Sequence, residues 1–264
     1  MNHCKKSILL SFVVATLLFV VSGCAPVDVD STLREAAAAA TEGKWQSAVE
    51  LTKKCVKADR QNLSVKIFHG FCLFETRRVE DSLEILEEAA TEAPDQFLPN
   101  FFFGWILCEQ QQFGDALAPL QIAYDLRQQQ PEIIPDLLIL LSRCCLEQNL
   151  DEGINYLLEL RNYHAFEQGP EVYNALGILY RSKADYEKAR QSFLRAHEKD
   201  STNAVVLQNL AVLNDCYLNK PKQAMRYYRA SLAARQSADV SSGQAQIRTR
   251  LRQLARKRLQ SSTN

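Results

Sequence analysis

The chain has 264 residues, 47% of them hydrophobic, and its 31 Lys and Arg are balanced by 31 Asp and Glu for a formal charge of zero. That length is ample for one extended domain, and no Gly-, Pro- or Ser-rich stretch divides it. Beyond Cys24 no segment stays apolar for the roughly 20 residues that a membrane-spanning helix needs, which excludes a second spanning element.

Residues 1–23 read as an address rather than as part of the fold. Lys5 and Lys6 open the segment, Ile8 to Val21 form an apolar run, and Val21-Ser22-Gly23-Cys24 closes it. A positive start, a run of about 14 apolar residues and small residues before a cut mark a secretory signal. The alternative is an uncleaved anchor, for which the run is short. The ending resembles the bacterial lipobox. That resemblance implies that Cys24 becomes the first mature residue and carries diacylglycerol and acyl lipid on its sulfur, with Ser22 and Gly23 small enough to admit the peptidase. An aspartate after the cysteine would imply inner-membrane retention; Ala25 stands there, so the resemblance implies the bacterial cell envelope, at an outer membrane facing the periplasm. Residues 24–31 form a short tether that keeps the folded part of the chain close to the lipid. Nucleic acid is not expected as a partner of an exported, lipid-anchored chain.

From there on, small residues recur at Ala48, Ser82, Ala116, Gly153, Ala189 and Ala224. The steps 48 to 82 and 82 to 116 are 34 residues each, and the later ones are 37, 36 and 35. A fixed period of that length marks stacked helical hairpins, each packing on its neighbours. The frames are 29–62, 63–96, 97–130, 134–167, 170–203 and 204–238, with short insertions between some of them. Repeat five is the clearest: Tyr173, Leu176, Gly177 and Tyr180 on a first helix, Tyr186, Ala189, Phe193 and Ala196 on a second. Spacings of three and four place each set on one helix face, and Ser182 to Asp185 form the polar connection. Gly70, Gly104 and Gly177 give up helix propensity, which predicts tight packing against the bulk carried at Leu86, Leu120 and Phe193. This pattern resembles the tetratricopeptide repeat, W-x2-L-G-x2-Y…A-x3-F…A…P. The resemblance implies an all-α, right-handed superhelical solenoid of about six hairpins over 32–238. Departures are Leu141 at a glycine position, Cys144 and Asn214 at tyrosine positions, and an extra residue expected around Asn219–Lys222.

Residues 239–264 hold no acid after Asp239, but carry Arg248, Arg250, Arg252, Arg256, Lys257 and Arg258. Ile247, Leu251 and Leu254 share one stripe, so a capping helix that covers the last hairpin is expected; contact with anionic lipid or an acidic partner is the other reading. Of eight cysteines, Cys4 leaves with the signal and Cys24 takes lipid. Cys55, Cys72, Cys108, Cys144, Cys145 and Cys216 remain, and packing as small hydrophobes is the first expectation. Export also permits disulfides, whose pairing the spacing does not assign. Without a C-x-x-C, no metal site is expected.

No catalytic constellation emerges. His3, His69, His164 and His197 are scattered, there is no phosphate-cradling glycine loop, and Glu84, Glu87 and Glu88 read as solvated helix faces. The expectation is no enzyme, no cofactor beyond the acyl lipid on Cys24, and no small-molecule substrate. The family resemblance implies instead a concave binding groove lined by positions 2, 5, 9, 12 and 13 of the first helices. On this sequence those include Ile67, Phe71 and Phe74, then Leu98, Phe101 and Trp105, then Leu138, and finally Asn174 and Arg181, with Gln208 and Asp215 beyond. Such a face would take a helical or extended apolar segment of an envelope protein, with aromatic anchors. Phe71, Phe101 and Trp105 equally suit packing between repeats, because helical periodicity does not separate two adjacent faces.

These expectations describe a membrane-anchored protein–protein interaction scaffold. Size, lipobox and six repeats are similar to the pilotin lipoproteins that help secretins of pili and secretion systems reach the outer membrane. Other repeat lipoproteins assist β-barrel assembly or organise cell-wall enzymes, and a ligand-binding or enzymatic solenoid is the remaining reading.

Overall fold

The structure, a computed structural model, describes residues 28–167, 169–237 and 243–262. The signal, Cys24 and most of the tether lie outside the described residues. Every regular element among those described is helical, and none is long and apolar enough to cross a membrane. The chain divides into two compact units between Cys144 and Cys145.

In the first unit, α1 (Val29–Thr41) pairs with α2 (Trp45–Ala58), α3 (Leu63–Glu75) with α4 (Val79–Glu92), and α5 (Phe97–Glu109) with α6 (Phe113–Asp125). Each second helix also packs on the next first helix, α2 on α3 and α4 on α5. Two 3-10 turns, Arg127–Gln129 and Pro131–Ile133, precede α7 (Ile134–Glu147), which runs across the division. They take up the additional residues of the 37-residue step. In the second unit α8 (Glu152–Leu160) and the short α9 (His164–Glu167) lead to the pairs α10 (Glu171–Ser182) with α11 (Tyr186–Lys199) and α12 (Ala204–Val212) with α13 (Pro221–Ser237); α14 (Gln244–Ser262) comes last.

Local chemistry sets the helix ends. Asp28, Asn62, Asp185 and Asn203 accept backbone N–H groups from the first turns of α1, α3, α11 and α12, satisfying donors that the helix itself leaves unpaired. The first helices close through a left-handed residue: Gly43, Arg77, Gln111, Asn149, Ala184 and Asn219, with φ between 49° and 75°. At Arg77 the N–H bonds the Phe74 carbonyl while Arg78 N–H reaches back to Leu73 O at 3.0 Å, and Gln111–Gln112 and Ala184–Asp185 repeat the pattern. These paired bonds satisfy the last carbonyls and turn the chain into the second helix.

Glycines hold the hairpins shut. A Cβ on Gly70 would lie 2.7 Å from Leu86 Cγ, one on Gly104 2.6 Å from Leu120 Cγ, and one on Gly177 2.5 Å from the Phe193 ring. Ser82 adds a buried hydrogen bond, its Oγ donating to Gly70 O at 2.7 Å. The extra residue of repeat six is not at Asn219–Lys222. It is absorbed earlier, in a π-helical stretch Leu213–Tyr217 whose wider turn lets Lys220 N–H reach Asn214 O.

Candidate functional site

The first helices of the first unit carry an aromatic stack. Phe71 lies flat on Trp105 with centroids 5.6 Å apart, Trp45 meets Phe71 edge-on at 5.7 Å, and Phe102 packs edge-on against Trp105 at 5.7 Å. Phe101 and Phe97 extend the stack at 5.4 Å from one another. These arrangements suit the ring quadrupoles.

The expected groove is corrected here. Ile67, Phe71, Phe101, Trp105 and Leu138 are 2, 3, 1, 1 and 0% exposed, so they fill the seams between helices instead of lining an open surface. The reason is stacking at the repeat period: Phe71 and Trp105 hold equivalent places in successive first helices and meet each other. Phe74 and Leu98 remain half-buried at the margin, Phe74 within 6.1 Å of Trp105.

In the second unit Asn174 and Arg181 are half-buried on α10. Asn209 of α12 donates from Nδ2 to Asn174 Oδ1 at 2.8 Å, joining repeats five and six by a side-chain ladder. Gln208 accepts from Arg235 at 2.6 Å and Asp215 is held by Arg250, so these two positions are engaged inside the unit. The tail helix docks through Ile247 and Leu254, 3 and 4% exposed, onto Ala211, Ala224, Met225 and Tyr228. Arg248, Arg252 and Arg256 stay exposed.

Clefts open elsewhere, between the second helices of successive hairpins. One of about 390 Å³ is lined by Lys53, Val56, Lys57 and Arg60 on one side, Ile85 and Glu88 on the other, with Lys66 and His69 of α3 as its floor. Lys66 is 3% exposed, and its Nζ donates to Glu88 at 2.8 Å and Glu92 at 2.6 Å. Burial disfavours its charge, but the two carboxylates outweigh burial and raise its pKa. The His69 Nδ1 lies 2.8 Å from Thr52 Oγ1, which is also 2.7 Å from Ala48 O. Burial first, then Arg78 and Lys53, push the His69 pKa down to about 4. A smaller cleft of about 210 Å³ in the second unit holds the equivalent place in repeat five, with Tyr173 and Leu176 where Lys66 and His69 stand, and Arg161, Lys188 and Arg195 around it.

Sequence reasoning missed these clefts because it followed the first-helix face and took the second-helix charges as solvated. The available signal was Lys66, the one Lys or Arg in a largely apolar α3. Among the described residues no cluster of three or more His, Cys, Asp or Glu could hold a metal ion.

Comparison with known proteins places this architecture. Residues 170–198 match the tetratricopeptide repeat family. A search of the curated proteins finds no match. Among solved structures, the chain is similar to pilF of Pseudomonas aeruginosa, with a TM-score of 0.62 at 15% identity over 84% of this chain and 97% of that one. YrrB, described as a TPR protein with an unusual peptide-binding site, gives 0.59 at 16% identity over 73% and 96%. The C-terminal part of a TPR repeat-containing protein of Cytophaga hutchinsonii gives 0.60 at 18% identity over 78% and 80%. Helical hairpins closed by glycine against bulk, a repeat-family match on the fifth of them and these structural neighbours make the fold that of a tetratricopeptide-repeat solenoid.

Proposed function

We propose that this chain is a lipid-anchored scaffold of the bacterial envelope that holds a segment of a partner protein and performs no chemistry of its own. The observation that carries the reading is the fold, hairpins of the class used for protein–protein interaction, joined to the Lys5-Lys6, Ile8–Val21 and Cys24 leader. YrrB, which shares the fold, is described as binding peptide, and pilF of Pseudomonas aeruginosa is covered over nearly its whole length. Size, leader and repeat number suit an assembly factor for a pilus or secretion machine at the outer membrane. Each unit offers its own candidate contacts where first-helix side chains keep exposure: Phe74 and Leu98 in the first unit for an apolar segment, and separately Asn174 and Arg181 in the second for a polar one.

The anchor and the binding face are tested separately. Labelled palmitate should enter the wild type and not Cys24→Ser, which should leave the membrane fraction; a Cys24→Ser chain that stays membrane-bound ends the lipoprotein reading. A soluble chain starting at Pro26, immobilised and offered solubilised envelope, should capture a partner that Phe74→Glu, Leu98→Glu or Arg181→Glu loses without loss of helicity. Equal capture by all variants removes these positions from the binding face.

A further inference from the structure

Five of the six cysteines among the described residues are buried, and only Cys216 is exposed. Two of the buried ones face each other: Cys108, late in α5, and Cys144, late in α7, have their Sγ atoms 3.0 Å apart. Both side chains are 0% exposed. The remaining sulfurs have other surroundings, with Cys55 Sγ 3.8 Å from Val29 O and Cys72 buried in α3. A disulfide bond is about 2.05 Å long, so the 108–144 pair needs to close by only about 1 Å.

We propose that Cys108 and Cys144 form a disulfide in the exported protein, tying α5 to α7 across the 3-10 turns between them. The pairing rests on the geometry; its oxidant, a disulfide-bearing thiol oxidase of the envelope, rests on the export reading above. One of the two cysteines, as its thiolate, attacks one oxidant sulfur, breaking the oxidant's disulfide and releasing its other sulfur as a thiolate. The other cysteine's thiolate then attacks the Sγ joined to the oxidant, breaking the mixed disulfide and releasing the first oxidant sulfur as a thiolate. Two protein thiols lose two protons and two electrons, and the oxidant leaves as a dithiol. Because the folded pair is closed to a bulky oxidant, exchange takes place while the chain folds after export. Cys145, one residue on, lies about 100° round the helix and does not share this contact.

The bond would act where the array most needs it. The segment between α6 and α7 is the longest interruption of the repeat period, carrying two 3-10 turns, and a cross-link over 36 residues removes freedom chiefly from the unfolded chain.

The test uses two preparations: the full chain expressed with its leader, and a chain starting at Pro26 purified from cytosol, unfolded, and refolded with or without oxidised glutathione. Each is acid-quenched, unfolded, blocked with iodoacetamide, digested without reduction and read by mass spectrometry. A peptide linked through Cys108 and Cys144 is expected in the exported chain, and in the cytosolic chain only after oxidised glutathione. Oxidation should raise the melting temperature of wild type and of Cys72→Ala but not of Cys108→Ala. Linkage in vitro with an exported chain that stays reduced overturns the envelope oxidation. No linkage in either preparation, or linkage through Cys145, overturns the pairing itself.

Discussion

Arg250 reaches back 35 residues to hold both carboxylate oxygens of Asp215, Nε to Oδ2 at 2.6 Å and Nη2 to Oδ1 at 2.8 Å. The Tyr228 hydroxyl donates to the same Oδ2 at 3.3 Å, and burial together with the Asp215 charge pushes its pKa up. Asp215 is 3% exposed and Arg250 37%. One of the six tail cations is therefore committed to fixing α14 on the last hairpin, beside the Ile247 and Leu254 stripe.

Arg250→Ala leaves a buried carboxylate with one hydroxyl donor. Breaking a fully buried pair costs about 3–5 kcal/mol; the exposure of Arg250 admits water and screening, which reduces this to about 1–3 kcal/mol. Urea unfolding measures it, and hydrogen exchange at 247–254 should accelerate. Arg250→Lys recovers only part, because an ammonium lacks the two-pronged geometry. An unchanged urea midpoint for Arg250→Ala would show that the apolar stripe alone docks the tail.

Gly177 lies under the Phe193 ring, where an added Cβ would stand 2.5 Å from Cδ1 and Cε1. Phe193 is fully buried among Val206, Leu210 and Leu213 and cannot swing away. Overpacking costs about 1–3 kcal/mol, partly offset by the better helix propensity of alanine, about 1 kcal/mol. Gly177→Ala should thus destabilise the second unit by up to about 2 kcal/mol, and adding Phe193→Leu should cost less than the two single changes summed. Additive costs in that cycle would mean that the two residues do not meet.

This glycine–bulk pairing was legible because it depends on residue type at fixed spacing, as were the repeat period and the docking stripe of the tail. The face of α5 was not. Phe97, Phe102, Ile106 and Leu107 are at most 6% exposed and, at about 100° per residue, surround the helix, so its apolar pattern has no polar contrast from which to orient it. A groove register read from α5 is therefore arbitrary, and the structure decides it through the Phe71–Trp105 stack. Trp105→Glu should unfold the first unit, with loss of near-ultraviolet dichroism, whereas Phe74→Glu should keep it. The π-helical turn at Leu213–Tyr217 was equally hidden, since one added residue leaves no compositional mark.

The left-handed turn residues also escaped the sequence. Glycine stands at Gly43, but Arg77, Gln111 and Ala184 adopt φ of 67°, 62° and 59° at the equivalent ends of later first helices. A side chain in that region costs about 1–2 kcal/mol, while glycine adds unfolded-state freedom of about 0.5–1 kcal/mol. Ala184→Gly should accordingly stabilise by about 0.5–1 kcal/mol, since alanine brings no compensating hydrogen bond. Thermal unfolding checks it, and a lower melting temperature for Ala184→Gly would show that the turn is held by more than the paired backbone bonds.

His69 gives the first unit a pH dependence with a definite sign. Its folded pKa, pushed down to about 4, lies below the ordinary value of about 6.5, so the unfolded chain binds the proton more readily. Stability from neutral His69 is complete above about pH 6.5 and is lost as pH falls from there through 4. The gap corresponds to at most about 3 kcal/mol. Lys53, Lys57, Arg60, Lys66 and Glu88 share its cleft, and Arg78 adds to the depression while Asp81 opposes it. Carboxylates with lowered pKa, such as Glu88, Asp185 and Asp200, lose their contribution only from their ordinary values of 4.5 and below, so between pH 7.5 and 5.0 they do not mimic the effect. Unfolding free energies at pH 7.5 and 5.0 should differ by about 1–2 kcal/mol in wild type, and the difference should shrink in His69→Gln, which keeps a hydrogen-bonding partner for Thr52. A slope that persists in His69→Gln assigns the pH dependence to another group.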